Sequence, residues 1–249
     1  MPNQIPNLIE QDHQVFFSEL LSPIKTNQIL DVACGSGGFT GILAENLGAY
    51  TQITGVDLSK AVIDRANETF GQETVTFKVM DATDLNFPND SFDLVSCAFS
   101  LHHFPDPAPV LGEIKRVLKP GGTALFVEMY SDNLTETQQT ENMLHHWAAD
   151  IDTELEIFHR HTYTRQEIIE LITSEDWSTA KIFDLADVVF DPKGEEITEL
   201  ILNTIDRVLK RAENLPDYAG FEQRAKELRQ RMRTIGAHIS TRLVILLQN

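Results

Sequence analysis

Three carboxylates and two glycines carry the chemistry in the first third of this chain. The stretch "ILDVACGSGGFTGIL" (29–43) puts six small residues between two apolar segments. Small residues weaken a core, and glycine costs conformational entropy on ordering, so such a cluster points to close approach by something outside the chain. Gly35 and Gly37 lack a Cβ, which opens the backbone N–H groups at the start of the next helix, an end suited to a carboxylate or phosphate. Asp57, in "GVDLS", follows about twenty residues later at the end of a second apolar run, where a carboxylate can accept both ribose hydroxyls. Asp81, in "VMDATDL", is placed to accept an adenine amino proton, while Ala82 leaves room for the ring. Asp31 stands inside an apolar run, where an unpaired carboxylate is costly. A ligand ammonium group or the loop's own N–H groups would satisfy it. A dinucleotide site could use several of these features, but the spacing Gly-x-Gly-x-x-Gly breaks at Thr40.

These residues fall at the ends of regular elements. Strands are predicted at 28–33, 52–58, 75–81, 92–99 and 123–130, with helices over 38–48, from Ser59 as N-cap to about Phe70, and over 107–118. The Pro-Gly pair in "KPGG" (119–122) reads as a turn. Strand–helix repetition at this spacing predicts a parallel sheet with helices on both faces. Ligands of such sheets bind outside the carboxyl ends of the strands, where strand order reverses. The second half breaks the rhythm. Residues 131–162 read as a polar helical insertion, 164–172 as a helix, 178–190 as a strand, 194–235 as two charged helices around "NLPDYAG", and 240–248 as a final strand. The whole of 1–249 is expected to form one domain, with 131–162 and 191–238 as helical insertions.

Bulk composition narrows the partners. Twenty Lys and Arg against 38 Asp and Glu give a net charge of −18, which argues against a nucleic-acid backbone. The basic cluster Arg224–Arg233 alternates with glutamates and reads as a solvated helix face. Cys34 and Cys97 have no CxxC or metal spacing, so they are expected to be buried free thiols. The N-terminal "MPNQIPNLIEQDH" lacks a charged start followed by an apolar stretch, and no segment reaches the length that spans a membrane. A cytoplasmic protein without a membrane partner is the expectation, as monomer or homodimer.

Together, "LDVACGSGG", "GVDLS", "VMDATDLNFPNDSFDLVSC", "LHHFPDP" and "EIKRVLKPGG" resemble the class I S-adenosylmethionine-dependent methyltransferases. The group with the nearest likeness is the small-molecule, type 11-like one. Its first motif usually carries Gly where this chain has Ala33; Gly35 and Gly37 are kept. The resemblance covers about 28–130, and 164–190 more loosely. It implies a Rossmann-like, doubly wound α/β fold with a seven-stranded, mostly parallel sheet and helical insertions forming a cap. It implies S-adenosyl-L-methionine as cofactor, with S-adenosyl-L-homocysteine as product. Asp31 and the backbone of Ala33, Cys34, Gly35 and Gly37 would hold the methionine end. Asp57 would take the ribose hydroxyls, Leu58 would pack on the adenine, Asp81 and Ala82 would read its edge, and Ala98 would line the sulfonium side.

Methyl transfer needs alignment more than a protein nucleophile, and a base only for an acceptor of high pKa. His102, His103 and Glu128 are the candidate bases at the active edge; His103 is the preferred one. Glu128, Tyr130, His146, Trp147 and Tyr163 are candidate acceptor-pocket residues, and Phe16 and Phe17 are candidates to close over the cofactor. His145, His146, His159 and His161 invite a metal reading, but no cysteine accompanies them and nearby acids are unpatterned, so no metal is expected. The leading function is methyl transfer to a small-molecule acceptor. Alternatives are a protein that binds S-adenosylmethionine without transfer, a protein or RNA methyltransferase, and a nicotinamide-dependent oxidoreductase.

Overall fold

A computed structural model describes residues 8–249; the first part of the N-terminal segment read above, 1–7, lies outside the described residues. The chain forms an α/β sandwich around one eight-stranded sheet. In order along the chain the strands are β1 (Leu8–Glu10), β2 (Gln28–Val32), β3 (Gln52–Asp57), β4 (Val75–Val79), β5 (Phe92–Ala98), β6 (Leu118–Met129), β7 (Thr179–Ala186) and β8 (Arg242–Gln248). The helices are α1 (His13–Leu21), α2 (Gly38–Asn46), α3 (Lys60–Phe70), α4 (Ala108–Val117), α5 (Glu136–Glu154), α6 (Arg165–Ile172), α7 (Glu195–Arg211) and α8 (Tyr218–Thr234).

Across the sheet the strands run β1-β7-β8-β6-β5-β2-β3-β4, all parallel except β8, which is antiparallel to both β6 and β7. The expected seven strands become eight because the three-residue β1 pairs with the edge of β7. A piece that short and half exposed carries no readable alternation. Elsewhere alternation sorts the two faces. Ile29, Ile53 and Leu94 pack under α1–α3 with Phe17, Phe39, Leu43 and Ile63, whereas Leu30, Val32, Val95 and Cys97 pack under α4 and α6 with Val110, Leu111, Ile114 and Ile168. Burial on both faces is why these strands read as nearly continuous apolar runs.

Three details depart from the expectations. "KPGG" lies inside β6 as an irregularity: Phe92 pairs with Leu118, but Leu94 pairs with Thr123, so the extra residues bulge out of the ladder. Ser59 occupies the N-cap of α3 without capping it through its side chain. Phe16 and Phe17 are core residues, edge-on to Phe183 and Phe39 at 5.9 and 5.6 Å, rather than a cover for a ligand.

The insertions build a helical layer with its own core. Leu144, Trp147 and Ile151 of α5 pack with Ile201, Ile205 and Val208 of α7 and with Phe221, Leu228 and Met232 of α8. Capping boxes start α5 (Thr135 with Gln138) and α6 (Thr164 with Glu167), satisfying otherwise orphaned N–H groups. Arg165 then anchors α6 to the sheet, its Nε and Nη2 donating to the fully buried carboxylate of Asp184 at 2.7 and 2.8 Å.

Candidate functional site

Strand order reverses at β2, whose neighbours are β3 on one side and β5 on the other. The loops leaving β2 and β5 therefore face each other at the carboxyl edge, and the Ser100 hydroxyl is shared between the Ala98 carbonyl at 2.7 Å and, across the gap, the Ala33 carbonyl at 3.2 Å. The β2–α2 loop is held in an uncommon conformation, with Ala33 at φ 53°, Gly35 at 53° and Gly37 at 86°. Its two glycines serve different ends. A Cβ on Gly35 would meet nothing within 4 Å, whereas one on Gly37 would lie 2.9 Å from Phe70 and 3.0 Å from Phe77. Gly37 lets the loop close over α3 and β4; Gly35 leaves its face open to a ligand.

The acids behave individually. Asp57 ties the loop: its Oδ2 accepts from the Gly35 N–H at 3.0 Å and its Oδ1 from the Ser59 N–H at 2.9 Å. Leu58, beside it, is 71% exposed, an unusual position for a leucine and one that offers a flat apolar shelf. Asp57 is in register with Val79 of the adjacent β4, and the Met80 N–H donates to its carbonyl, so exposed Asp81 follows within the same rim. Asp81 Oδ1 accepts from the Thr83 N–H and hydroxyl, both at 2.8 Å, which holds its carboxyl below the usual range; Ala82 is buried behind it. Two carboxylates and an apolar shelf thus line one side of the open glycine.

Asp31 is a correction. It is 1% exposed and accepts from the hydroxyls of Thr40 (2.6 Å) and Ser96 (2.7 Å), not from loop N–H groups. Burial pushes its carboxyl up to about 6 against the pull of those hydroxyls, with nearby Asp57 adding to the rise. It braces β2 against α2 and β5 from beneath. Thr40 and Ser96 were missed, although a threonine in the third glycine position and a serine inside "FDLVSCAF" were visible signals. Cys34 is buried, its thiol pushed up by that burial and by Asp31 and Asp57, so it contributes backbone rather than a nucleophile.

On the opposite wall, Ala98 is nearly buried at the end of β5. Glu128 does not face open space. Its Oε1 accepts from the Ser100 and Leu101 N–H groups at 2.5 and 2.7 Å, and its Oε2 lies 3.1 Å from His102 Nδ1. It fixes the turn Leu101–His103. His103 is at the exposed end of that turn, and partial desolvation against the turn, with His102 and His159 nearby, lowers its pKa to about 3. An imidazole with that pKa accepts a proton poorly at neutral pH.

The remaining pocket candidates divide. Tyr130 is fully buried, its phenol pushed up by burial and by Asp184. Trp147 is fully buried in the helical layer, its Nε1 without an acceptor among the described residues. Neither offers a surface to an acceptor. Both sit in helical or strand patterns whose inward face only packing could reveal. His146 is half-buried, bonded to Thr162 Oγ1 at 2.9 Å and stacked on His161 at 4.1 Å. Tyr163 is buried beneath the Arg160 guanidinium, 3.7 Å above its ring. The segment leading to Tyr163 touches the site: the Arg160 N–H donates to the His102 carbonyl at 3.1 Å.

Residues 30–126 match the family model described as a methyltransferase domain. Over 180 residues the chain is 33% identical to a 2-phytyl-1,4-naphtoquinone methyltransferase of Synechococcus elongatus, covering 64% of this chain and 75% of that one. The chain belongs to the S-adenosylmethionine-dependent methyltransferases. The methyltransferase is also 32% identical over 142 residues to a demethylmenaquinone methyltransferase of Staphylococcus aureus, covering 55% of this chain and 59% of the relative. In fold it is similar to the YcgJ protein of Bacillus subtilis (TM-score 0.61, 19% identity, 95% and 99% of the two chains). It is likewise similar to phosphoethanolamine N-methyltransferase 2 of Haemonchus contortus, solved with phosphomonomethylethanolamine and S-adenosylhomocysteine (TM-score 0.58, 20% identity, 95% and 52%). The cofactor of this methyltransferase is S-adenosylmethionine, and the open Gly35 face between carboxylates and an exposed leucine fits its nucleoside and amino-acid parts. Among the described residues, no helix is long and apolar enough to cross a membrane.

Proposed function

We propose that this methyltransferase transfers a methyl group to a small organic acceptor of the quinol type, using Asp57, Leu58, Asp81 and Ala82 for the cofactor's nucleoside and the Ala33–Gly37 backbone for its methionine end. The observation that carries the cofactor half is the rim formed by Asp57, Leu58 and Asp81 beside a glycine whose missing Cβ no protein atom replaces. When bound, the cofactor would supply an electrophilic methyl for in-line attack by an acceptor lone pair or carbanion, with the thioether of S-adenosylhomocysteine as leaving group.

The chain's own contribution is positioning. Alignment of the reacting groups is worth several kcal/mol, up to roughly 7–11 in the best intramolecular cases. Glu128 fixes the Ser100–His103 turn, and Ser100 ties that turn to the cofactor loop. The segment 131–162 lies against the same turn through Arg160 and serves as the lid that keeps water out. The quinol reading is supported by the names of two relatives. It is also supported by apolar surface on that lid, where Ile157 and Phe158 are 50% and 46% exposed next to the segment that bonds His102.

The test uses methyl-labelled S-adenosylmethionine with four acceptors: a demethylated naphthoquinol kept reduced, phosphoethanolamine, glycine and transfer RNA. Label in the quinol alone is the expected result. Label only in an amine or in RNA overturns the acceptor class, and cofactor binding without transfer to any of the four favours a role in binding alone.

A further inference from the structure

The fold brings together four imidazoles that the sequence scatters over three segments: His102 and His103 on the turn after β5, His145 on α5, and His159 on the segment returning from it. Ring centroids lie 4.2 Å apart for His103–His159, 4.4 Å for His102–His103, 4.8 Å for His145–His159 and 4.9 Å for His102–His145. One ring nitrogen from each of His102, His103 and His159 lies within 4.8 Å of the others.

The outward nitrogens of two of these rings are already committed. His102 Nδ1 is 3.1 Å from Glu128 Oε2, and His159 Nδ1 is 2.7 Å from Asp152 Oδ2. A carboxylate accepts, so each Nδ1 carries the hydrogen, and in the neutral ring that tautomer leaves the Nε2 lone pair free on the cluster side. His102 is 1% exposed, and its Nε2 has no hydrogen-bond partner among the described residues. A buried polar nitrogen without a partner is costly. His159 Nε2 faces His145 Nε2 at 3.2 Å. Two nitrogens bound roughly 2.0–2.1 Å from one tetrahedral zinc ion lie about 3.3 Å apart, close to that separation. Carboxylates on the far nitrogens of ligating histidines are the usual outer shell of such sites.

We propose that His102, His103, His145 and His159 form a binding site for a borderline divalent transition metal such as Zn²⁺, oriented by Glu128 and Asp152, which ties the helical layer to the turn after β5. All-imidazole ligation without thiolate suits zinc and its neighbours rather than Ca²⁺ or Mg²⁺. The way in is a cleft of about 370 Å³ between α5 and α7 that His145, His159 and Asp152 line. The sequence argued against a metal because no cysteine accompanies His145, His146, His159 and His161 and the nearby acids are unpatterned. In the fold His161 turns away to Asp150 at 2.8 Å, and the partners of His159 come from elsewhere.

The experiment uses the full chain without a polyhistidine tag, stripped with chelator and titrated with Zn²⁺ by calorimetry and with Co²⁺ by visible absorption. The expected results are one equivalent bound, the intense bands of four-coordinate Co²⁺, and a rise in melting temperature. His159→Gln and His102→Gln should each weaken binding at least tenfold, and Asp152→Asn tenfold to about a hundredfold. His161→Gln should leave it unchanged, as should His13→Gln in a separate cluster with Asp12 and Asp187. X-ray absorption on the zinc-loaded wild type needs no variant to fold and should count at least three imidazoles. Absence of stoichiometric binding, fewer than three imidazoles, or loss of binding in His13→Gln overturns the proposal.

Discussion

The two loop glycines permit a test in which similar substitutions should fail in different ways. At Gly35 (φ 53°) an alanine suffers only the left-handed backbone, roughly 1–2 kcal/mol. At roughly 2–4 °C per kcal/mol for a chain of this size, the Gly35→Ala protein should melt about 2–8 °C lower. At Gly37 (φ 86°) the same methyl also drives into Phe70 at 2.9 Å and Phe77 at 3.0 Å. Overpacking adds roughly 1–3 kcal/mol, so Gly37→Ala should lose about 2–5 kcal/mol in all. Binding should rank the other way. In the proposed site the Gly35 methyl would stand where the cofactor approaches, so affinity for S-adenosylhomocysteine should fall at least tenfold, or about 1.4 kcal/mol. The folded fraction of Gly37→Ala should bind within about threefold of wild type, since its added methyl points into protein. Scanning calorimetry without ligand and isothermal titration with it read the two quantities separately. If Gly35→Ala binds like wild type, or Gly37→Ala is the more stable variant, the division of labour between these glycines is wrong.

Further outcomes follow from the same geometry. Asp57→Ala removes charge-assisted bonds worth roughly 1.5–3 kcal/mol each and should weaken cofactor binding about tenfold to a hundredfold by calorimetry; unchanged affinity would remove Asp57 from the site. Asp31 titrates at about 6 when folded against a usual 3.8, so the native state holds the extra proton between those values. Stability should therefore fall as pH rises through that window and level off above it, by about 3 kcal/mol in total. Asp31→Asn should flatten this profile and be the more stable form above about pH 6 in urea unfolding. Arg165→Met strands the fully buried Asp184 carboxylate and should cost about 3–5 kcal/mol, with part recovered in the double variant with Asp184→Asn.

The sequence by itself determined the central strands and where the glycine turn and the strand-end acids fall along them. Strands buried on both faces announce themselves as apolar runs, and a turn needing positive φ or an open backbone face demands glycine, so β2–β6 and the Ala33–Gly37, Asp57 and Asp81 positions were legible from local pattern. Tertiary structure decided what depends on contacts between distant segments. The Asp31 carboxylate is satisfied by hydroxyls nine and 65 residues away, and Glu128 is consumed by N–H groups 27 and 28 residues upstream. Trp147 faces inward only because α7 and α8 pack over it. The histidines were visible as residues but not as a cluster. Neither spacing nor composition records which loops a parallel sheet brings to one edge, and hydrogen-bond partners are chosen by distance in space rather than along the chain.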